Sequence, residues 1–208
     1  MKTILCFGDS NTWGSDPAGG PRFDLHTRWP GVLRDQLGDG YWVIEEGQRG
    51  RTTVWDDPIE GYKNGKDYLI PCLYSHQPLD LVIILLGTND LKMRFSVPAF
   101  DIANSAGVLV DVVQKSDAGR DNAPPPVLLI APPPVAKLTG FAQMFAGAEE
   151  KSRLLGAEYA RVAQEKGCAF LDAGTVIRSS DLDGIHFAPG EHKKLGDAVA
   201  ARVRDLLE

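Results

Sequence analysis

Short apolar runs alternate along this chain with longer stretches in which apolar residues return every three or four positions. Thr3–Phe7, Trp42–Glu46, Leu81–Leu86, Val127–Ala131 and Ala169–Leu171 have the length and composition of strands. The central three are nearly continuous in Val, Ile and Leu, as expected where helices cover both faces of a sheet. Helices are predicted between them at 29–38, 65–76, 98–116, 148–166 and 189–207. The fourth places Leu155, Tyr159, Val162 and Ala163 on one face, with Gly167 suited to a left-handed C-terminal cap. The last begins at Pro189, a good first-turn residue, and repeats Leu195, Val199, Val203 and Leu206 along one stripe. The alternation predicts an α/β fold: three layers, α/β/α, around a five-stranded parallel sheet.

With 208 residues, no repeat and no low-complexity linker, one domain spanning 1–208 is expected. Two loops stand out: Ser15–Thr27, rich in Gly, Pro and charge, and Ala131–Gly140, which carries Pro132–Pro133–Pro134 directly after a strand. Long loops at strand C-termini are where α/β folds hold ligands, so both are candidate walls of a site. A formal net charge of -6 argues against nucleic acid as a partner, because phosphate binding needs a basic footprint. The apolar run Leu81–Leu86 is far below the roughly 20 residues of a membrane span. Met1–Lys2–Thr3 leads straight into a strand and a polar turn, unlike a secretory signal, so a cytoplasmic location is expected. Cys6, Cys72 and Cys168 lie in apolar runs without metal-ligand spacing and read as small buried hydrophobes.

Four segments carry chemistry. Gly8–Asp9–Ser10–Asn11 follows the first strand, and a serine hydroxyl becomes a useful nucleophile when presented at such a turn near a base and amide donors. Gly47–Gln48–Arg49–Gly50–Arg51–Thr52–Thr53 follows the second strand, where glycines let backbone N–H groups approach a ligand. Gly87–Thr88–Asn89–Asp90 ends the third, and an Asn side chain there can aim its amide at a developing oxyanion. In Asp183–Gly184–Ile185–His186, a carboxylate three residues before an imidazole can fix its tautomer. Taken singly, the first and third segments read better as turns and helix caps. The pair Asp181 and Asp183 lacks the further oxygen ligands of a calcium loop, and no Gly-rich phosphate cradle is present. No cofactor or metal is expected.

It is their joint order that carries information, since all four would meet along one edge of a parallel sheet. The set resembles the blocks of the SGNH (GDSL-type) serine hydrolases: Gly-Asp-Ser, a Gly-containing second block, Gly-x-Asn-Asp and Asp-x-x-His. The resemblance implies a flavodoxin-like SGNH fold with Ser10 as nucleophile and His186 and Asp183 completing a triad. It also implies an oxyanion hole from Ser10, Gly50 and Asn89, with Gly47 as the alternative to Gly50. Asn11 stands where the family name has Leu. Stretches such as Trp29–Pro30–Gly31–Val32–Leu33, Arg51–Thr52–Thr53–Val54–Trp55–Asp56–Asp57–Pro58 and Leu79–Asp80–Leu81–Val82–Ile83 are similar to the bacterial arylesterases of this family, some of which also transfer acyl groups or perhydrolyse. The expected activity is hydrolysis of short, acetyl-like esters of aryl or small alkyl alcohols. A carbohydrate O-acetylesterase with the same triad is the alternative; a non-catalytic binding module should have lost one of these residues. A homo-oligomer, with neighbours' loops narrowing the entrance, is left open.

Trp13 is expected either to wall a small acyl pocket or to pack in the core, and Phe141, Met144 and Phe145 to line the mouth or pack between subunits. His26, His76 and His192 have no partner at a telling spacing and read as surface or loop histidines, while Arg49 and Arg51 read as a solvated pair.

Overall fold

A computed structural model of the chain describes residues 1–207. Five strands, β1 (Lys2–Gly8), β2 (Tyr41–Gly47), β3 (Leu81–Leu85), β4 (Val127–Ala131) and β5 (Ala169–Asp172), form one sheet in the order β2-β1-β3-β4-β5. Every pairing is parallel. Helices α1 (Ser10–Trp13), α2 (Trp29–Leu37), α3 (Gly65–His76), α4 (Ala99–Gln114), α5 (Ala148–Ser152), α6 (Leu155–Lys166) and α7 (Pro189–Leu207) connect and cover them. Alternate strand residues feed two cores. Ile4, Cys6, Leu81, Ile83 and Ile130 pack on the side of α2 and α7, whereas Leu5, Phe7, Val82, Ile84 and Leu129 pack on the side of α3, α4 and α6. Burial on both faces is why these strands are continuous in aliphatic residues instead of alternating with polar ones. Among the described residues, no helix is long and apolar enough to cross a membrane.

Strand order reverses between β1 and β3, because the chain leaves β1 for one edge and returns to β1's other side. That reversal opens a crevice beyond the strand C-termini. Ser10 follows β1 and Asn89 follows β3, so the two flank this crevice.

The main elements appear where the pattern placed them, with the short α1 added at the turn after β1 and three further differences. The predicted helix 148–166 is broken between α5 and α6. Buried Ser152 sits at the break, its hydroxyl donating to the Glu149 carbonyl at 3.1 Å and accepting the Val135 N–H at 3.0 Å, bonds that compete with a continuing helix. Cys168 lies just before β5 and is only partly buried, unlike Cys6 and Cys72. The third concerns His192, expected at the surface.

His192 is fully buried, between Phe23 and Phe187 at 5.5 Å from each ring, and its Nδ1 accepts the Trp29 N–H at 3.3 Å. It belongs to the stripe of α7 that faces the sheet, which no spacing to a partner could reveal. Burial pushes its pKa down to about 3, helped by the charges of His186 and Arg28. Unfolded, the same ring titrates near ~6.5. Between these values the unfolded chain binds a proton that the folded chain refuses, so stability falls as pH drops from ~6.5 toward ~3. The slope is about 1 kcal/mol per pH unit. The variant His192→Gln removes this contribution. Thermal melts between pH ~6.5 and ~4.5 are expected to show a shallower decline in the variant, and parallel curves would refute the assignment. Asp9 and Asp90, whose buried carboxylates are raised to about 6, contribute slopes of opposite sign that both proteins share.

Candidate active site

The turn after β1 presents the hydroxyl. Asp9 caps α1 by accepting the Asn11 N–H at 2.9 Å, and Ser10 is the first residue of that short helix. Its own N–H lies in the first turn, where a helix has no internal acceptor to offer. The Asp183–His186 loop arrives from beyond β5. It is pinned by the Ala136 N–H donating to the Gly184 carbonyl at 2.8 Å, by Ser180 N–H donating to the His186 carbonyl at 2.8 Å, and by Asn11 Nδ2 donating to the Ile185 carbonyl at 3.4 Å.

These anchors bring the three side chains into series. His186 Nε2 lies 2.9 Å from Ser10 Oγ, and His186 Nδ1 lies 2.6 Å from Asp183 Oδ2. The other carboxylate oxygen accepts the N–H groups of Ile185 and His186, each at 2.9 Å. Burial alone would raise the Asp183 pKa; the His186 ring and those two N–H groups outweigh it and hold the carboxyl below its ordinary value. An ionised carboxylate only accepts hydrogen bonds, so Nδ1–H donates to it and Nε2 is left as acceptor for the Ser10 hydroxyl. Phe141 stands edge-on to the imidazole at 6.0 Å.

Ser10, Gly50, Asn89 and His186 open together into a cavity of about 400 Å³. Phe141, Met144, Phe145 and Ile185 supply its apolar wall, and Arg49, Glu60, Lys63 and Lys92 its polar one. Asn89 begins a one-turn 3₁₀ segment, Asn89–Leu91, with Nδ2 held by the Arg51 carbonyl at 3.1 Å and by Asp9 Oδ2 at 3.4 Å. Asp90 locks the second-block loop to this turn: the Thr53 N–H donates to its two oxygens at 3.1 and 3.2 Å, and the Thr53 hydroxyl donates as well.

The two glycines of the second block separate cleanly. A Cβ on Gly47 would lie 2.2 Å from the Trp13 nitrogen, so Gly47 is there for close packing of β2 against α1. Gly50 has φ +80 and lines the cavity, which favours it as the residue whose backbone faces a ligand.

Residues 6–192 match the GDSL-like lipase/acylhydrolase family. The chain belongs to that family. The fold is shared with an aryl esterase from M. smegmatis, 46% identical with a TM-score of 0.94 over 100% of both chains. It is equally shared with a carbohydrate acetylesterase from Sinorhizobium meliloti, 42% identical with a TM-score of 0.95 over 99% of this chain and 100% of the other. A curated acetylxylan esterase from Xylanibacter ruminicola is 26% identical over 97% of this chain, which spans only 43% of that relative's length. The family and these neighbours make the chain an esterase of the GDSL/SGNH type.

Several expectations need correction at this esterase site. Trp13 does not line the cavity into which Ser10 opens. It lines a neighbouring one of about 570 Å³, together with residues of the 15–22 and 139–141 loops, Arg49 and His186. Arg22 and Arg49 stack on its ring at 4.9 and 5.4 Å. Arg49 and Arg51 are not a solvated pair. Arg51 is buried over the Phe7 ring, donates to the Gly8 carbonyl at 2.8 Å and to the Glu46 carbonyl, and so ties the second block to the ends of β1 and β2. His76 is half-buried and bonded to Glu46 at 2.8 Å, whereas His26 is exposed and pairs with Asp35. Asp9, Glu60, Lys63 and Lys92 escaped sequence reasoning. Asp9 was visible inside the first block; nothing marked the other three.

Proposed function

We propose that the chain hydrolyses short-chain carboxylic esters through a covalent acyl-enzyme on Ser10. One observation carries this reading: the unbroken series from Ser10 Oγ through both nitrogens of His186 to Asp183, placed at the mouth of a cavity that Asn89 and Gly50 also border. His186 takes the hydroxyl proton as Oγ bonds to the carbonyl carbon, and Asp183 stabilises the imidazolium. The carbonyl oxygen, now negative, meets the N–H groups of Ser10 and Gly50 and the Asn89 amide. Collapse breaks the bond to the alcohol oxygen, which leaves with the proton from His186. Water then repeats the sequence on the acyl-enzyme and releases the acid; an alcohol or peroxide in its place would give acyl transfer or perhydrolysis.

A cavity of about 400 Å³, walled on one side by Phe141, Met144 and Phe145, has room for a small acyl group together with its alcohol portion. Aryl acetates are the favoured substrates, in keeping with the 46% identical aryl esterase. A second reading, acetyl removal from carbohydrate, is supported by the S. meliloti neighbour. Comparing kcat/KM on phenyl acetate with that on an acetylated sugar separates the two.

The oxyanion role of Asn89 has its own test. Its Nδ2 donates to the Arg51 carbonyl at 3.1 Å and, at a longer 3.4 Å, to Asp9 Oδ2, so the hydrogen now on Asp9 is the one that turns to the oxyanion as charge develops. Asn89→Ala is expected to lower kcat on an aryl acetate by about 10²–10³-fold while KM changes little. A loss seen only in KM would remove Asn89 from the oxyanion hole.

A further inference from the structure

The polar wall of the cavity holds an electrostatic asymmetry. The chain as a whole is acidic, and many of its arginines are ion-paired: Arg22, Arg28 and Arg34 share Glu45, Arg120 pairs with Asp80 and Arg161 with Glu158. Beside Ser10 the balance inverts. Asp16 and Asp183 border the neighbouring cavity, but on this wall Arg49, Lys63 and Lys92 face Glu60, with Arg94 and Asp57 behind it. Glu60 and Asp57 are already engaged. Glu60 Oε1 is 2.6 Å from Lys92 Nζ and 3.7 Å from Arg94, and Asp57 binds Arg94 at 2.8 Å and Lys92 at 3.5 Å. Asp57 is held at about 2 against its burial by the N–H groups of Glu60 and Ile59 and by Arg94 and Lys92, so it stays ionised and committed to them.

That leaves Arg49 and Lys63. The Lys63 ammonium donates to the Arg49 carbonyl at 2.9 Å, and the Arg49 guanidinium stacks on Trp13; among the described residues neither forms an ion pair. An ammonium that meets one carbonyl keeps two N–H groups to offer. Lys63 packs beside Gly50 together with Glu60: a Cβ there would lie 2.6 Å from Glu60 Oε2 and 3.2 Å from Lys63 Cε. Arg49 borders both cavities that meet at His186, the one at Ser10 and the one at Trp13. On the mechanism proposed above, His186 returns its proton to the leaving alcohol, so the alcohol portion of the ester lies on the His186 side, next to Arg49.

We propose that Arg49 and Lys63 form an anion subsite for the alcohol portion of the substrate, so that the enzyme favours esters whose leaving group carries a carboxylate. The inference deepens the esterase reading and rests on it. With Arg49 exposed and Lys63 half-buried, the two cations favour a bound anion by an amount that grows with burial and shrinks with salt.

The experiment compares kcat/KM on 4-acetoxybenzoate with that on 4-acetoxybenzamide, which shares the acetyl group and the aryl frame but is neutral. The ratio of the two is measured in the wild type and in Arg49→Gln/Lys63→Gln, so that intrinsic differences in reactivity cancel. The ratio is expected to fall on the order of tenfold in the double variant. Arg49→Lys, which keeps the charge, should retain most of it. In the wild type, raising salt from ~20 mM to ~0.5 M should cut the rate on the anionic ester severalfold and spare the neutral one. A ratio that is unmoved by the double substitution, or equal salt sensitivity of both esters, overturns the subsite. A wild type that cleaves neither ester overturns the esterase reading instead, so the two failures are told apart.

Discussion

Ser10→Ala is expected to lower kcat on aryl acetates by about 10⁵–10⁶-fold, the loss seen when one member of a nucleophile–base unit is removed. The variant should nevertheless fold normally. Asp9, not Ser10, supplies the side-chain cap of α1, and losing Oγ leaves the backbone of that turn untouched. Its melting temperature should stay close to that of the wild type, because only one hydrogen bond, to His186, is deleted. Covalent labelling reads the same event directly. A fluorophosphonate should add one mass increment to the wild type and none to the variant. The double variant Ser10→Ala/His186→Ala should be no slower than either single one, because the two act as one unit. Labelling that persists without Oγ, or a rate within tenfold of wild type, would move the nucleophile elsewhere.

Most of the fold was legible because its sheet is buried on both faces. Continuous runs such as Leu81–Leu85 and Val127–Ala131 admit few other readings once Gly and Pro bound them, and their ends moved by no more than a residue or two. Strand order was not legible in the same way. It depends on which crossover lies on which side of β1, a matter of tertiary packing with no local signature. The break at Ser152 was hidden for a similar reason: its competing partner, the Val135 N–H, lies in a loop 17 residues away. His192 shows the limit of reading side chains by type, since it occupies a core position on α7 that its period shared with Leu195 and Val199.

The candidate site divides along the same line. Ser10, Asn89, Asp183 and His186 announce themselves because each is held by a short motif whose local geometry is fixed within a few residues. The supporting shell is non-local. Arg51 serves carbonyls at the ends of β1 and β2, Asp90 serves Thr53 across 37 residues, and Lys92 reaches Glu60 across 32. Trp13 borders the cavity beside His186 and Asp183 instead of the one into which Ser10 opens, because distance along the chain from Ser10 says nothing about the side of the imidazole on which an indole lies. It is one turn of α1 away, and that turn carries it to the cavity beyond His186.

Asp183→Asn is expected to cost about 10⁴-fold in kcat, and the structure says why an amide cannot serve. Oδ1 of Asp183 accepts two backbone N–H groups, from Ile185 and His186, both at 2.9 Å. Asparagine has one oxygen, and it must stay there, because turning the NH₂ group toward those two donors would leave three donors facing one another. The NH₂ then takes the place of Oδ2, 2.6 Å from His186 Nδ1, and donates to it. An Nδ1 that accepts puts the ring proton on Nε2, which then donates toward Ser10 Oγ, 2.9 Å away, and cannot take its proton. The side chain keeps its size and the loop its anchors, so folding is preserved while the base is disabled. Phosphonate labelling of Ser10 should slow in step with kcat. The low-field imidazole N–H resonance of the wild type, which reports Nδ1–H held by a carboxylate, should vanish from the variant spectrum. An Asp183→Asn enzyme within tenfold of wild-type kcat would show that His186 takes the proton without this carboxylate, and the series that carries the esterase reading would lose its third member.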